Sequence, residues 1–173
     1  VWVKLVPKPR HAEVILASFP TVQSAADAVA NVIAAGLIPA GLEMMDAAST
    51  AAVEAYLHAG YDLEAAALLL CESDGEPDVV AQEIAAMSQI LREAGATRLQ
   101  VSQNEAERLK FWAGRKSAFP AAARLAPDYY CMDGTIPRKS LGRILTEIAA
   151  MEQEFGLQCL NVFHAGDGNM HPM

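Results

Sequence analysis

Hydrophobic and polar positions alternate between strand-like and helix-like spacing from one end of the chain to the other. Short β-rich or apolar runs predict strands over residues 14–19, 37–44, 66–71, 98–103, 129–133 and 157–163. Between them, apolar residues recur at helical spacing in segments that begin near Thr21, Asp46, Pro77, Asn104 and Pro137. The pattern therefore predicts about six strands and about five helices in alternating order.

Capping and breaking residues sharpen several of these boundaries. Thr21 and Asp46 are suited to cap the first two helices, because their side-chain oxygens accept backbone N–H groups. Asn104 with Glu107 three residues later resembles a capping box. Residues 72–76 form an acidic turn, and Pro120 interrupts a helix, so we expect irregular chain from there to Pro127.

Two architectures fit this order of elements. A parallel, doubly wound sheet is one, but its buried strands are usually hydrophobic throughout, and several strands here are not. The strand and helix order of the first hundred residues also fits a ferredoxin-like arrangement. We favour an α+β fold of this ferredoxin-like kind, with a mainly antiparallel sheet and helices packed on one face.

Composition excludes several classes of protein. With 53% hydrophobic residues and a net charge of −8, the chain is too apolar for a disordered protein. Its acidity argues against a nucleic-acid partner. The uncharged stretch over 28–42 contains Gly36 and Pro39 and is too short to span a bilayer. Three cysteines without disulfide or metal spacing indicate a reducing compartment, and we expect a cytoplasmic protein.

The ends of the chain are unusual for a complete protein. The sequence begins at Val1 without an initiator Met, shows no leader, and stops at Met173 just after a Gly-rich motif. We expect residues 1–173 to be a single domain taken from a longer polypeptide.

The Gly-rich motif, FHAGDGNMHP over residues 163–172, carries the strongest chemical signal. His164 and His171 converge if the intervening glycines fold the backbone back, and neutral imidazoles are common ligands of Zn²⁺ and similar ions. Asp167 or Asn169 is then a ligand, an orienting group or a substrate contact, and a third ligand is required. The alternative is an ordinary tight turn with two incidental surface histidines.

A second cluster, KFWAGRKSAFP over residues 110–120, places cationic side chains beside aromatic ones. On a helix, Arg108, Phe111, Trp112 and Arg115 lie on neighbouring faces. Arg115 is suited to grip a carboxylate with two parallel hydrogen bonds. The alternative is a cation–π contact of the guanidinium with Trp112.

The remaining polar and aromatic residues have plainer interpretations. Glu43 and Asp46 supply two carboxylates at a strand-to-helix junction, where Asp46 is most simply a cap. We expect Tyr130 and Met132 to pack, and we treat His11 and His58 as structural. No phosphate-binding loop, dinucleotide fingerprint or nucleophile elbow is present in the sequence.

Two long motifs resemble a known family. FWAGRKSAFPAAARLAPDYYCMDGTIPR over 111–138 and NVFHAGDGNMHP over 161–172 are similar to the C-terminal domain of FAD-linked oxidases. The opening VWVKLVPKP and GLEMMD over 41–46 share the resemblance, which covers essentially the whole chain. It is strongest to the FAD subunits of bacterial glycolate oxidases and extends to D-lactate and D-2-hydroxyglutarate dehydrogenases.

The resemblance implies a role in the oxidation of a 2-hydroxy acid to a 2-oxo acid. FAD would be held mainly by an N-terminal domain absent from this chain, and further oxidase subunits are implied partners. His164 and His171 would bind a divalent metal such as Zn²⁺, with another ligand from a glutamate beyond Met173. Arg115 and Asn169 would contact the small 2-hydroxy-acid substrate, and the proton-abstracting residue is unassigned.

The sequence departs from some dehydrogenase relatives at two positions. Phe119 stands where they carry a threonine, and Cys131 stands where they carry a lysine. The difference suits a smaller substrate such as glycolate.

Two other functions compete with this one: a non-catalytic, ferredoxin-like regulatory module that binds a small ligand, and a purely structural interaction domain. The two long motifs argue against the structural domain. For the isolated chain we expect neither bound flavin nor oxidase activity.

Overall fold

The computed structural model of the chain describes residues 1–5 and 7–173. Its seven strands are β1 (His11–Phe19), β2 (Gly41–Asp46), β3 (Ala67–Gly75), β4 (Arg98–Val101), β5 (Gly134–Thr135), β6 (Asn161–His164) and β7 (Asn169–Pro172). Its helices are α1 (Val22–Ala34), α2 (Ala47–Leu57), α3 (Pro77–Glu93), α4 (Glu105–Lys116), α5 (Ala118–Ala122) and α6 (Leu141–Phe155), with a 3-10 helix over Arg138–Ser140 before α6.

All seven strands belong to one sheet, in the order β4-β1-β3-β2-β6-β7-β5. Every pairing in it is antiparallel. The order β4-β1-β3-β2 is that of a ferredoxin-like unit, with α2 inserted between β2 and β3. The last three strands extend this unit at its β2 edge. The predicted α+β class with an antiparallel sheet is therefore confirmed.

The sheet is covered on both faces, because its central strands are apolar at successive positions. Ile15 and Leu69 belong to the core that includes residues of α1, α3 and α6. Leu16 and Leu70 belong to a second core, which includes residues of α2, α4 and α5. Helices α1, α3 and α6 therefore cover one face of the sheet, and α2, α4 and α5 cover the other. The prediction of helices on one face did not include this second layer.

The predicted caps of three helices are confirmed. Thr21 Oγ1 accepts the Ser24 N–H at 3.0 Å, and Asp46 Oδ1 accepts the Ser49 N–H at 2.8 Å. Asn104 caps α4 in the same way through its Oδ1. These contacts satisfy N–H groups that have no partner inside the helix, and they fix where each helix begins.

Several predicted boundaries were wrong. The acidic segment over 72–76 is not a turn, since β3 continues to Gly75, where it pairs with His11. The second strand begins at Gly41 rather than at residue 37. Residues 129–133 form no strand, although the Met132 N–H donates to the Pro172 carbonyl oxygen at 2.9 Å. The strand there is Gly134–Thr135, which pairs with β7. Pro120 lies inside the short helix α5 instead of ending regular structure.

Asp46 joins the two halves of the sheet. Its Oδ2 accepts hydrogen bonds from the backbone and side-chain N–H groups of Asn161, at 3.0 and 2.8 Å. Burial raises the pKa of this carboxyl group, and the N–H donors oppose that shift. The end of β2 is therefore fixed to the start of β6.

None of the helices within residues 1–5 and 7–173 is both long enough and apolar enough to cross a membrane.

Over the same residues, the three cysteines are free thiols. Burial raises the pKa of Cys71 to about 12 and of Cys159 to about 11.

The turn between β6 and β7 depends on Gly168. This residue has φ +80°, and a Cβ added to it would collide with the carbonyl oxygen of Ile136. The Ile136 N–H donates to the Gly168 carbonyl oxygen at 3.0 Å, which holds the two segments together. A side chain at this position is therefore disfavoured both by the left-handed backbone conformation and by the steric clash with Ile136.

We predict that Gly168→Ala destabilises the fold clearly more than Gly36→Ala does. Both glycines have φ +80°, but nothing lies within 4 Å of a Cβ at Gly36. The left-handed conformation alone costs about 1–2 kcal/mol for an L-residue, and Gly168→Ala adds the collision. Urea unfolding of both variants measures the difference, and equal losses would contradict the role of the Ile136 contact.

Candidate functional site

The two histidines of the Gly-rich motif lie on one hairpin. His164 pairs with Asn169, and Val162 pairs with His171, so the two histidines are diagonal neighbours on the same face of the sheet. Their ring centroids are 5.5 Å apart, with the rings nearly perpendicular at 86°. The predicted tight turn is present, and it brings the histidines together.

Glu43 in β2 lies on the same face and touches this hairpin. Met45 pairs with Val162, so Glu43, two residues from Met45, projects toward the site. Its side chain is 10% exposed, and its Oε1 is 2.7 Å from Nδ1 of His164. Because a carboxylate only accepts hydrogen bonds, this contact requires a proton on Nδ1, and in that tautomer the lone pair lies on Nε2.

Arg115 binds the other oxygen of the same carboxylate. It lies in the last turn of α4, and its Nε donates to Oε2 of Glu43 at 2.9 Å. The guanidinium is therefore paired with a buried carboxylate. This ion pair takes the place of the cation–π contact with Trp112 that was the alternative. The nearby indole N–H donates instead to Glu72, which also pairs with Arg108 at 2.7 Å.

Two glycines let α4 come close enough for this ion pair. A Cβ at Gly114 would overlap the ring of Tyr61, and one at Gly41 would lie 2.8 Å from Trp112. The Tyr61 hydroxyl donates to the carbonyl oxygen of Phe111. Burial raises the pKa of Tyr61 to about 12, so the hydroxyl keeps its proton and remains a donor.

Asn169 is next to the histidines, but its amide is already engaged. Its Nδ2 donates to Oδ1 of Asp133 at 2.7 Å, and that oxygen is 3.8 Å from Nδ1 of His171. The Phe119 ring centroid is 6.3 Å from that of His171, in edge contact. Cys131, the other departure from the dehydrogenase pattern, is exposed.

A cavity of about 500 Å³ opens beside His164 and Glu43. Arg138 and Asp167 supply its other charged groups, and apolar side chains such as Ile38 complete its wall. Nη1 of Arg138 donates to the carbonyl oxygen of Gly166 at 2.8 Å, which braces the turn that carries His164. The site thus has room for a small polar ligand.

Of the predicted residues, only His164 lines this cavity. Arg115 reaches it through Glu43, whereas His171 and Asn169 are neighbours of His164 on the hairpin. Glu43 was noted in the sequence as a carboxylate at a strand-to-helix junction, but its role in the site was not predicted. The available signal was a carboxylate in an otherwise apolar strand, inside the GLEMMD segment. A carboxylate that faces a core needs a partner, so its position marked it as paired.

Metal binding rests on two histidines only. Within the described part of the chain, no three His, Cys, Asp or Glu side chains form a group that could hold a metal ion. Each imidazole nevertheless has a carboxylate oxygen near its Nδ1, at 2.7 Å for His164 and 3.8 Å for His171. Only the 2.7 Å contact of His164 is within hydrogen-bond distance, and that contact is the arrangement that carboxylates adopt behind metal-binding histidines.

The chain is similar to known proteins in both sequence and fold. The family model described as FAD linked oxidases, C-terminal domain, matches residues 8–173. The chain is 56% identical over 173 residues to glycolate oxidase subunit GlcD of Escherichia coli K12, covering 100% of this chain and 35% of that protein. It is 35% identical over 170 residues to the GlcD subunit of Bacillus subtilis, covering 98% of this chain and 36% of that protein.

A more distant relative is a mitochondrial D-lactate dehydrogenase [cytochrome] of Arabidopsis thaliana, 25% identical over 173 residues, covering 99% of this chain and 30% of that protein. The chain thus spans about a third of the length of these relatives.

Solved structures share the fold at low sequence identity. An alkyldihydroxyacetonephosphate synthase aligns with a TM-score of 0.69 and 17% identity, covering 95% of this chain and 36% of its own. A p-cresol methylhydroxylase aligns with a TM-score of 0.67 and 12% identity, covering 96% of this chain and 39% of its own. These similarities concern the fold alone.

We predict that Glu43→Gln destabilises the chain by about 3–5 kcal/mol, because it leaves the guanidinium of Arg115 buried without a counter-charge. In the double variant Glu43→Gln/Arg115→Met, removal of the charge should restore much of this loss. Chemical unfolding of the two single variants and the double variant measures the coupling. A double variant whose loss equals the sum of the two single losses would contradict it.

Proposed function

Because this chain belongs to the family of FAD linked oxidase C-terminal domains, we propose that it is the substrate-binding domain of a longer FAD-dependent enzyme. The reaction we propose is oxidation of a 2-hydroxy acid to a 2-oxo acid. Relatives named glycolate oxidase subunit and D-lactate dehydrogenase support this choice, since glycolate and lactate are both 2-hydroxy acids. In this proposal, residues 1–173 form one domain, and FAD is bound mainly by another part of the longer protein.

The observation that carries the proposal is the Glu43 carboxylate, which joins the guanidinium of Arg115 to His164, with the His171 ring 5.5 Å from that of His164. Nε of Arg115 is occupied by Glu43, which leaves the two terminal nitrogens to bind a substrate carboxylate. His164 and His171 face the α-hydroxyl end of that substrate in the proposed arrangement. A carboxylate and a neighbouring hydroxyl are the features that define a 2-hydroxy acid.

The chain's own residues bind and orient the substrate. Arg115 fixes its carboxylate, and Glu43 keeps the guanidinium in place. Asn169, whose side-chain Nδ2 donates to Asp133, has its side-chain oxygen Oδ1 left to accept a hydrogen bond from the substrate hydroxyl. When bound, FAD supplies the hydride acceptor, since such chemistry belongs to the cofactor.

We propose that His164 and His171 supply two ligands of a divalent metal through Nε2. The carboxylate of Glu43, hydrogen-bonded to Nδ1 of His164, supports this, and the remaining ligand comes from outside the chain or from the substrate. Such a metal, Zn²⁺ for example, would lower the pKa of the α-hydroxyl group.

Phe119 supports a small substrate. Its ring lies against His171, where it takes up space and offers no hydroxyl group to a substrate. We therefore propose glycolate ahead of larger 2-hydroxy acids. Association with further oxidase subunits and a cytoplasmic location stay predictions; the three free thiols support the location.

In the longer flavoprotein, we predict that Arg115→Lys raises the KM for glycolate about 10- to 100-fold. Lysine keeps the charge but loses the planar fork that binds a carboxylate with two hydrogen bonds, an interaction of about 1.5–3 kcal/mol. Steady-state kinetics with an artificial electron acceptor measures the effect. Arg124→Lys, at a guanidinium that stacks on Tyr56, is the control. An unchanged KM in Arg115→Lys would contradict the anchor role.

We also predict that His164→Ala and His171→Ala each remove bound metal and lower turnover, whereas His58→Ala changes neither. Elemental analysis of the purified flavoprotein, and turnover measured before and after chelator treatment, check this. Variants that retain both metal and turnover would show that the histidines are not ligands. Loss of activity without any metal in the wild type would assign them to substrate binding instead.

A further inference from the structure

The side chain of Glu43 is 10% exposed, and both of its carboxylate oxygens are used. Oε2 accepts from Nε of Arg115 at 2.9 Å, and Oε1 accepts from Nδ1 of His164 at 2.7 Å. One carboxylate therefore contacts the proposed substrate anchor and one proposed metal ligand simultaneously. We propose that Glu43 is a positioning residue that sets the orientation of Arg115 and the proton position of His164 together, an inference that rests on the proposed function.

The first effect concerns the direction of the guanidinium. A guanidinium binds a carboxylate with two parallel hydrogen bonds either through its Nε edge or through its two terminal nitrogens. Glu43 occupies the Nε position, so only the end with both terminal nitrogens remains for a substrate. The substrate carboxylate is thereby limited to one approach, and its hydroxyl to one side of the site.

The second effect concerns the tautomer of His164. Nε of arginine is always a donor, because the guanidinium is not deprotonated in proteins. Oε2 must therefore remain an acceptor toward Arg115, while Oε1 accepts the proton on Nδ1 of His164. The lone pair of the imidazole is then on Nε2, where a metal or a substrate hydroxyl can use it.

Glu43→Gln removes the negative charge and turns one of the two hydrogen-bond acceptors into a donor, while the size of the side chain stays nearly the same. The new amide oxygen must face Nε of Arg115, so its NH₂ group faces Nδ1 of His164. That nitrogen can then accept only if the proton moves to Nε2. The variant is thus expected to invert the tautomer of one histidine while it preserves side-chain volume.

Glu72 offers a matched control on the neighbouring strand β3. Its side chain is 13% exposed, compared with 10% for Glu43, and it also accepts from an arginine, Arg108 at 2.7 Å. Its second donor is the indole of Trp112, and neither donor belongs to the proposed site. Glu72→Gln therefore also breaks an ion pair of low exposure without touching a histidine.

The test is ¹⁵N NMR of the histidine side chains in the 173-residue chain, at a pH at which the imidazoles are neutral. We expect the Nδ1–H form of His164 in the wild type and in Glu72→Gln, and the Nε2–H form in Glu43→Gln. The wild-type spectrum alone decides the matter if a variant fails to fold. An Nε2–H form of His164 in the wild type, or an unchanged tautomer in Glu43→Gln, would overturn the proposal.

Kinetics of the longer flavoprotein separate this inference from the proposed function. We expect Glu43→Gln to lower kcat 10- to 100-fold, as the loss of groups behind metal ligands does, and Glu72→Gln to leave it unchanged. If the wild type oxidises no 2-hydroxy acid, the proposed function is wrong, and the tautomer measurement still decides the role of Glu43. If Glu43→Gln retains full kcat and KM, the positioning role is wrong, and the proposed function is unaffected.

Discussion

A buried carboxylate with two partners is the interaction on which the site depends. Removing Glu43 from water is unfavourable unless both of its oxygens are satisfied, and Arg115 and His164 supply the two donors. Each partner is in turn held by the carboxylate, so that none of the three adopts its position alone. The site is consequently a property of the packed sheet and helices, and the Gly-rich motif supplies only one part of it.

This requirement explains why the second helical layer matters. Helices α1 and α3 complete a ferredoxin-like unit, whereas α4 on the other face brings Arg115 to the carboxylate. The close approach of α4 is possible because Gly41 and Gly114 leave room for aromatic side chains. The hairpin of β6 and β7 then extends the sheet and presents both histidines to the same face.

Much of this could be predicted from sequence, and the remainder fails for identifiable reasons. Local signals sufficed for the caps at Thr21 and Asp46 and for the turn before Asn169, because each depends on residues a few positions apart. Glu43 is separated by 72 residues from Arg115 and by 121 from His164, so no spacing rule connects them. The second helical layer was missed although residues 66–71 are apolar at every position, which itself indicates burial on both faces.

A crystal structure of the longer flavoprotein with a bound 2-hydroxy acid would show which residues bind the substrate carboxylate. The proposed function predicts the ligand's carboxylate at the terminal nitrogens of Arg115, its hydroxyl near His164 and His171, and Glu43 still between Arg115 and His164. The competing location is the apolar cavity of about 420 Å³ near Phe155 and Leu157. A ligand bound there, or at the histidines with Arg115 turned away from it, would contradict the assignment.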